Sequence, residues 1–303
     1  KYLIKKNTHI IAYHNVIEDK YFDDALHLGF SHSLSNFKKQ LQVLERFYNK
    51  YNNLSELVIT FDDGYRNNYR IIKNLVANKV YKVVFFISPN RRLKDSPFWI
   101  DKLLYACSYL DPGSYDIDSQ KFKLTNNNLS GRILFYKKIY NFILDNYTKK
   151  DDIVKIIYNE AIKNSDRCSP NSDYFDLRFN FMKHDEIIEL SNYENIKIGY
   201  HTSDHDNLKI HDIQYLKDEL KVEKKFIEKY NVIDFAYPFG GKNEINTNII
   251  NDLINNGFQN IYSAIPKKID ERITPRNSIP NVENKYLILA YYSNLFSFLK
   301  SPF

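Results

Sequence analysis

The feature that most constrains the fold is an alternation. Short apolar runs and stretches of helical spacing succeed one another along most of a chain of 303 residues. His9-Ile10-Ile11-Ala12-Tyr13, Leu57-Val58-Ile59-Thr60-Phe61 and Val83-Val84-Phe85-Phe86-Ile87 are almost uninterrupted apolar segments rich in β-branched and aromatic residues. Strands that bury both faces read this way, as parallel strands do beneath layers of helix. Weaker runs follow at Ile196-Lys197-Ile198-Gly199, Phe235-Ala236-Tyr237 and Asn260-Ile261-Tyr262-Ser263-Ala264-Ile265. Between the first two runs, Phe37, Leu41, Leu44 and Phe47 recur at helical spacing and predict a helix from about Ser35. The pattern is that of an α/β protein with a largely parallel sheet.

The alternation lapses between Asp95 and about Asp176, where the segments Trp99 to Tyr109, Ile133 to Tyr147 and Ile153 to Ile162 read as helices. No linker rich in Gly, Pro or Ser delimits this stretch, so it is expected to be a helical insertion within one domain spanning residues 1–303. The charge balance of +6 is mild for the length. It suits an anionic glycan or peripheral association with a membrane surface, although a solvated basic surface is the simpler reading. No dense Lys/Arg block or nucleic-acid motif is present, so a nucleic-acid partner is not expected. No apolar run approaches the roughly 20 residues of a membrane span. Cys107 and Cys168 have no CxxC partners, and the sequence does not pair them. The first residue is Lys1, which suggests trimming and leaves any upstream signal out of view. Oligomeric state is left open.

Three polar clusters come directly after predicted strands. In a β/α barrel that edge carries the active site, because the strands converge there and the loops are free to vary. The first is Thr60-Phe61-Asp62-Asp63-Gly64-Tyr65. Adjacent carboxylates repel unless a cation or a shared proton relieves them, although Asp-Gly alone is an ordinary turn dipeptide. The second is His201-Thr202-Ser203-Asp204-His205. Two imidazoles four residues apart share a face if the segment coils, and both can then reach one ion at about 2.0–2.1 Å. A carboxylate from Asp63 would complete a His₂–carboxylate set with open positions, which is the mark of a hydrolytic metal site. The third is Phe235-Ala236-Tyr237-Pro238-Phe239-Gly240-Gly241, where Pro and Gly can present a backbone N–H to a developing oxyanion.

Together these clusters resemble the polysaccharide deacetylase family, the carbohydrate esterases of family 4 that share the NodB homology domain. Thr60 to Tyr65 is similar to the family's first motif, His201 to His205 to its second, and Ala236-Tyr237-Pro238-Phe239-Gly240 to its third. Tyr13-His14-Asn15-Val16 and the Val84 to Ile87 strand add support, and the matches extend from about residue 9 to 280. The resemblance implies a distorted, incomplete TIM-like β/α barrel. It also implies a metal-dependent N-deacetylase acting on a bacterial cell-surface or exported polysaccharide. Asp63, His201 and His205 would hold a divalent ion, usually zinc, with cobalt or nickel as substitutes. Asp62 would be the general base, and a backbone N–H near Phe239 would stabilise the oxyanion. Family habit favours the cell envelope or the extracellular space over the cytoplasm.

Two departures stand out. Many members carry, at the position of Ala236, an arginine that pairs with the base; Arg276 is a candidate replacement from another strand, and is otherwise expected to touch substrate. No histidine follows His211, so the general acid cannot come from the family's usual C-terminal motif. The chain is similar in this respect to the circularly permuted branch acting on poly-N-acetylglucosamine, which points to His14. Tyr65, Tyr237, Pro238 and Trp99 are the further candidates for lining a sugar groove.

Other chemistries fit less well. There is no Gly-x-Ser-x-Gly elbow and no glycine-rich phosphate loop. Asp62 and Asp63 are contiguous and cannot flank a glycosidic bond at the separation of about 5–9.5 Å that glycosidases use. Two alternatives remain: an amidohydrolase of the same fold acting on a small non-carbohydrate amide or imide, and a catalytically silent carbohydrate-binding protein.

Overall fold

A computed structural model describes residues 7–22, 31–51, 55–94, 96–164, 173–242, 245–293 and 295. Its strands, in chain order, are β1 (Asn7–Tyr13), β2 (Asn15–Ile17), β3 (Ser31–Ser33), β4 (Ser55–Phe61), β5 (Lys82–Ile87), β6 (Gly113–Ile117), β7 (Gln120–Leu124), β8 (Ile196–Tyr200), β9 (Asp234–Ala236), β10 (Asn260–Tyr262), β11 (Ile273–Thr274) and β12 (Asn277–Ser278). Eight of them form one parallel sheet in the order β11-β10-β9-β8-β5-β4-β1-β12. The apolar runs of the sequence are β1, β4, β5, β8, β9 and β10, and the three polar clusters follow β4, β8 and β9.

The two edges of this sheet are consecutive pieces of one segment. Ile273 and Thr274 pair with Ile261 and Tyr262 on one side, while Asn277 and Ser278 pair with Ile11 and Ala12 on the other. Pro275 and Arg276 lie between, and proline cannot donate to a ladder. The sheet therefore curls until a single interrupted strand touches both of its ends. This is the distorted, incomplete β/α barrel expected from the sequence.

Alternate residues separate into two layers. Ile11, Ile59, Phe61, Val83 and Phe85 face the helices in the main core, while Ile10, Val58, Val84, Phe86, Ala236 and Tyr262 form a small cluster inside the curl. Both faces are buried, which explains why the strand sequences hardly alternate. Thr60, Asp62 and Arg276 belong to the inner layer, where the Arg276 guanidinium lies 5.3 Å from the Phe86 ring centre. Lys82 and Asp234 form an ion pair on the same inner face, at the N-terminal ends of β5 and β9 and so away from the site.

The insertion is not wholly helical. Helices Trp99–Tyr109, Leu129–Asp145 and Lys150–Asn164 appear much as the periodicity predicts, but the antiparallel hairpin β6–β7 lies between the first two. Only Ile117, Phe122 and Leu124 of that hairpin are buried hydrophobics, too few to make its strands stand out in a polar stretch. The insertion has its own apolar cluster, onto which Ile17 and Phe239 from the barrel side also pack. Cys107 is free and fully buried there, and burial raises its thiol pKa; Cys168 falls outside the described residues. Among the described residues no helix is long and apolar enough to cross a membrane.

Candidate active site

Asp62 and Asp63 follow β4, and each is turned to a different partner. The Asp62 carboxylate receives two parallel hydrogen bonds from Arg276, Nη1 to Oδ1 at 2.6 Å and Nη2 to Oδ2 at 2.7 Å. Arg276 also donates through Nη1 to Thr60 Oγ1 at 3.1 Å and through Nε to the Ser263 carbonyl at 2.8 Å. Arg276 is fully buried and Asp62 nearly so. Burial alone would raise the Asp62 pKa, but the charges of Arg276, His201 and His14 outweigh it and hold the carboxyl below its usual range. The guanidinium is thus spent inside the barrel on Asp62. Buried and fully paired in this way, it is not a substrate contact.

Asp63 takes a left-handed conformation, φ 75°, and Gly64 continues the turn at φ 73°. A side chain at Gly64 would meet Ile87 at 3.0 Å. Thr202, His205 and Phe239 also have positive φ, so half of the eight such non-glycine residues among those described belong to the three loops of this site. Each costs on the order of 1–3 kcal/mol, and such strain gathers where a structure fixes functional groups.

This backbone brings Asp63 Oδ1 to 3.4 Å from His201 Nε2 and 3.2 Å from His205 Nε2, with all three side chains buried. Donor atoms of the three residues lie within 4.8 Å of one another. Asp63 Oδ1 has no hydrogen-bond partner. His201 Nδ1 is 2.8 Å from the Ala236 carbonyl, which can only accept, so Nδ1 carries a proton and Nε2 is the nitrogen whose lone pair the neutral ring would offer to an ion. Burial lowers the His205 pKa and favours its neutral form. Asp63 is held well below the usual carboxylate range: burial opposes ionisation, but the two imidazoles outweigh it. A buried carboxylate oxygen thus faces two imidazole nitrogens with no proton assigned between them, an arrangement that a divalent cation would satisfy. The fixed His201 tautomer is the outer-shell support that metal-bound histidines usually have. One carboxylate and two imidazoles suit zinc, and also cobalt or nickel.

His14, at the end of β1, places Nε2 3.8 Å from Asp62 Oδ2 and keeps partial access to solvent. Phe239 follows Pro238 in the third loop. Its ring lies 4.8 Å from that of His205 and 6.1 Å from that of Trp99.

The aromatic candidates for a sugar groove are placed differently from the expectation. Tyr65, Tyr237 and Trp99 are 3%, 1% and 3% exposed, and Pro238 is buried as well. The Tyr65 hydroxyl donates to Asp101, and that of Tyr237 donates to the Asn246 carbonyl. Trp99 stacks on Tyr140 within the insertion. Aromatic rings bury large areas, and all of these do so beneath the site, where they support it and do not offer a face to a sugar.

Sequence reasoning passed over two supports. Asp101 meets Tyr65 from the insertion. Glu219 accepts from Tyr200, in the strand leading to His201, and burial pushes its carboxyl up to about 7. Nothing in the sequence distinguishes either from an ordinary helix-surface acid.

No family model matches the chain, and no curated protein does. Solved structures do resemble it. Streptococcus pyogenes deacetylase PplD, determined in complex with acetate, has a TM-score of 0.50 at 12% identity, over 94% of this chain and 97% of that one. IcaB from Ammonifex degensii has a TM-score of 0.52 at 12% identity, over 95% and 97%. A de-N-acetylase from Aggregatibacter actinomycetemcomitans has 0.50 at 14%, over 94% and 99%. The resemblance read from the three motifs is therefore matched by the fold, and the chain has the distorted β/α barrel of these solved deacetylases.

Proposed function

We propose that the chain is a metal-dependent hydrolase that removes N-acetyl groups from a polysaccharide, a cell-surface or exported polymer of bacterial type. The observation that carries this reading is the buried Asp63 oxygen facing two imidazole nitrogens with no hydrogen-bond partner. A divalent ion at these three residues would supply Lewis acidity to water and to the acetyl carbonyl.

The remaining steps fall to the chain itself. Asp62, kept ionised by Arg276, accepts a proton from the attacking water. The guanidinium fixes both carboxylate oxygens, so the base is held in one orientation. As the acetyl carbon becomes tetrahedral, charge collects on its oxygen, and a backbone N–H near Phe239 donates to it. The carbon–nitrogen bond then breaks. His14 gives its proton to the departing amine, and its place beside Asp62 lets one face of the substrate meet both groups. The products are acetate and a free amino sugar. A polymeric substrate favours work at the cell envelope or outside the cell.

The test is acetate release from N-acetylated glycans after chelation and reloading with zinc, cobalt or nickel. Metal-dependent release from a glycan supports the assignment. Turnover confined to small amides or imides would replace it with the amidohydrolase reading. Metal retention without any turnover would leave a silent binding protein.

A further inference from the structure

We propose that Asp101 and Tyr65 are a positioning pair for the Asp63 carboxylate, so that the insertion is a working part of the metal site. This inference rests on the reading of Asp63 as a metal ligand.

Tyr65 stands two residues after Asp63, and its backbone is gripped from one side. Arg66 N–H donates to the Asn180 carbonyl at 2.8 Å, Met182 N–H donates to the Gly64 carbonyl at 2.9 Å, and Tyr65 bridges to Phe181. Its ring lies between Phe181, stacked at 5.9 Å, and Phe98, edge-on at 6.1 Å. These contacts fix the turn but leave the hydroxyl group to be satisfied, buried, at the far end of the ring.

That group meets the insertion. Tyr65 Oη is 2.9 Å from Asp101 Oδ1 and 3.0 Å from Oδ2, an even placement against both oxygens of a carboxyl that is itself 5% exposed. Burial, with the Asp101 and Asp63 carboxyls nearby, holds this hydroxyl well above the ordinary phenol range and so keeps its proton in place. A phenol has one proton to give, and giving it to Asp101 anchors the far end of the ring whose backbone follows Asp63 and Gly64 in the turn. Asp101 is in the first turn of helix Trp99–Tyr109, and the residue that precedes this helix, Phe98, lays its ring 4.6 Å from that of His205. One short stretch of the insertion thus touches the surroundings of two of the three candidate metal ligands.

A bland alternative exists for Asp101. Its carboxyl also takes a hydrogen bond from the Phe98 backbone N–H, as an acid at the third position of a helix commonly does. A capping residue supports the fold and leaves metal affinity alone. A positioning residue changes affinity when the apoprotein is still intact, and loss of an outer-shell partner typically costs about 10–100-fold.

The experiment is zinc affinity by competition with a chromophoric chelator, with melting of the metal-free protein measured alongside. The variants are Tyr65→Phe, Asp101→Leu, Asp101→Asn and Asp63→Ala. Tyr65→Phe removes one oxygen and keeps the buried ring and the cap, so it decides the matter even if Asp101→Leu does not fold. It is expected to weaken zinc by about 10–100-fold with the apoprotein melt unchanged. Asp101→Asn keeps an acceptor against the phenol and is expected to stay within about threefold of the parent. Parental affinity in Tyr65→Phe overturns the pairing. Parental affinity in Asp63→Ala overturns the metal-site reading itself, which is a separate result.

Discussion

Asp62 and Asp63 are neighbours in sequence, yet the two sides of the barrel mouth to which they turn are finished in different ways. On the seam side, Asp62 meets a permanent cation from the same chain, and every strong hydrogen bond is made. On the histidine side, Asp63 meets two imidazole nitrogens and keeps a buried oxygen without a hydrogen-bond partner. Two carboxylates with the same intrinsic pKa therefore end in opposite conditions: one complete within the protein, the other complete only with something added. On the proposed function, the difference separates a base that needs a fixed orientation and charge from a carboxylate that needs to stay available to an ion.

The largest effect should come from breaking the histidine side. Asp63→Ala or His205→Ala is expected to lose both metal and turnover, read by metal content after desalting and by acetate release. Asp62→Asn should leave metal content near parental while turnover falls by about 10²–10⁴-fold, the usual contribution of a general base; unchanged turnover would remove Asp62 from that role. His14→Ala should also retain the metal, with a smaller fall of about 10²-fold at neutral pH and the greatest loss on substrates with the most basic leaving amines.

Arg276→Met probes the seam side alone. It leaves the Asp62 charge buried and unpaired, which should cost about 3–5 kcal/mol in denaturant unfolding. Without the guanidinium the Asp62 pKa should rise, so the acid limb of the activity profile should move to higher pH. The smallest effect concerns the layer behind the histidines. Glu219 has a folded pKa raised by burial to about 7, above its unfolded value. Its stabilising contribution is complete below the unfolded pKa and is lost as pH rises through about 7. Melting curves of the metal-free protein should therefore fall across that window, and Glu219→Gln should remove that part of the fall.

The strands and the three loops were legible in sequence because parallel barrel strands announce themselves as apolar runs, and polar residues at their ends have no packing reason to be there. Asp63, His201 and His205 could be grouped for the same reason, although their distances could not be read. Arg276 was harder. Whether it reaches Asp62 depends on which side of Pro275 pairs with which edge, and that register is set by the closure of the whole barrel. The aromatic residues were misjudged because Tyr65, Tyr237 and Trp99 carry both a large apolar body and a polar tip. Composition cannot say which of the two a ring uses. Asp101 gave no signal, since an acid in the first turn of a helix is what the helix dipole favours anyway.

The interrupted strand has a consequence for how the molecule comes into being. β1, near the beginning of the chain, waits for Asn277 and Ser278 before one of its sides is paired, and Asp62 waits for Arg276. A growing polypeptide would carry the motif residues long before the base acquired its counter-charge. The counter-charge of Asp62 and the second pairing of β1 would then arrive together, when the seam segment is made and the barrel closes.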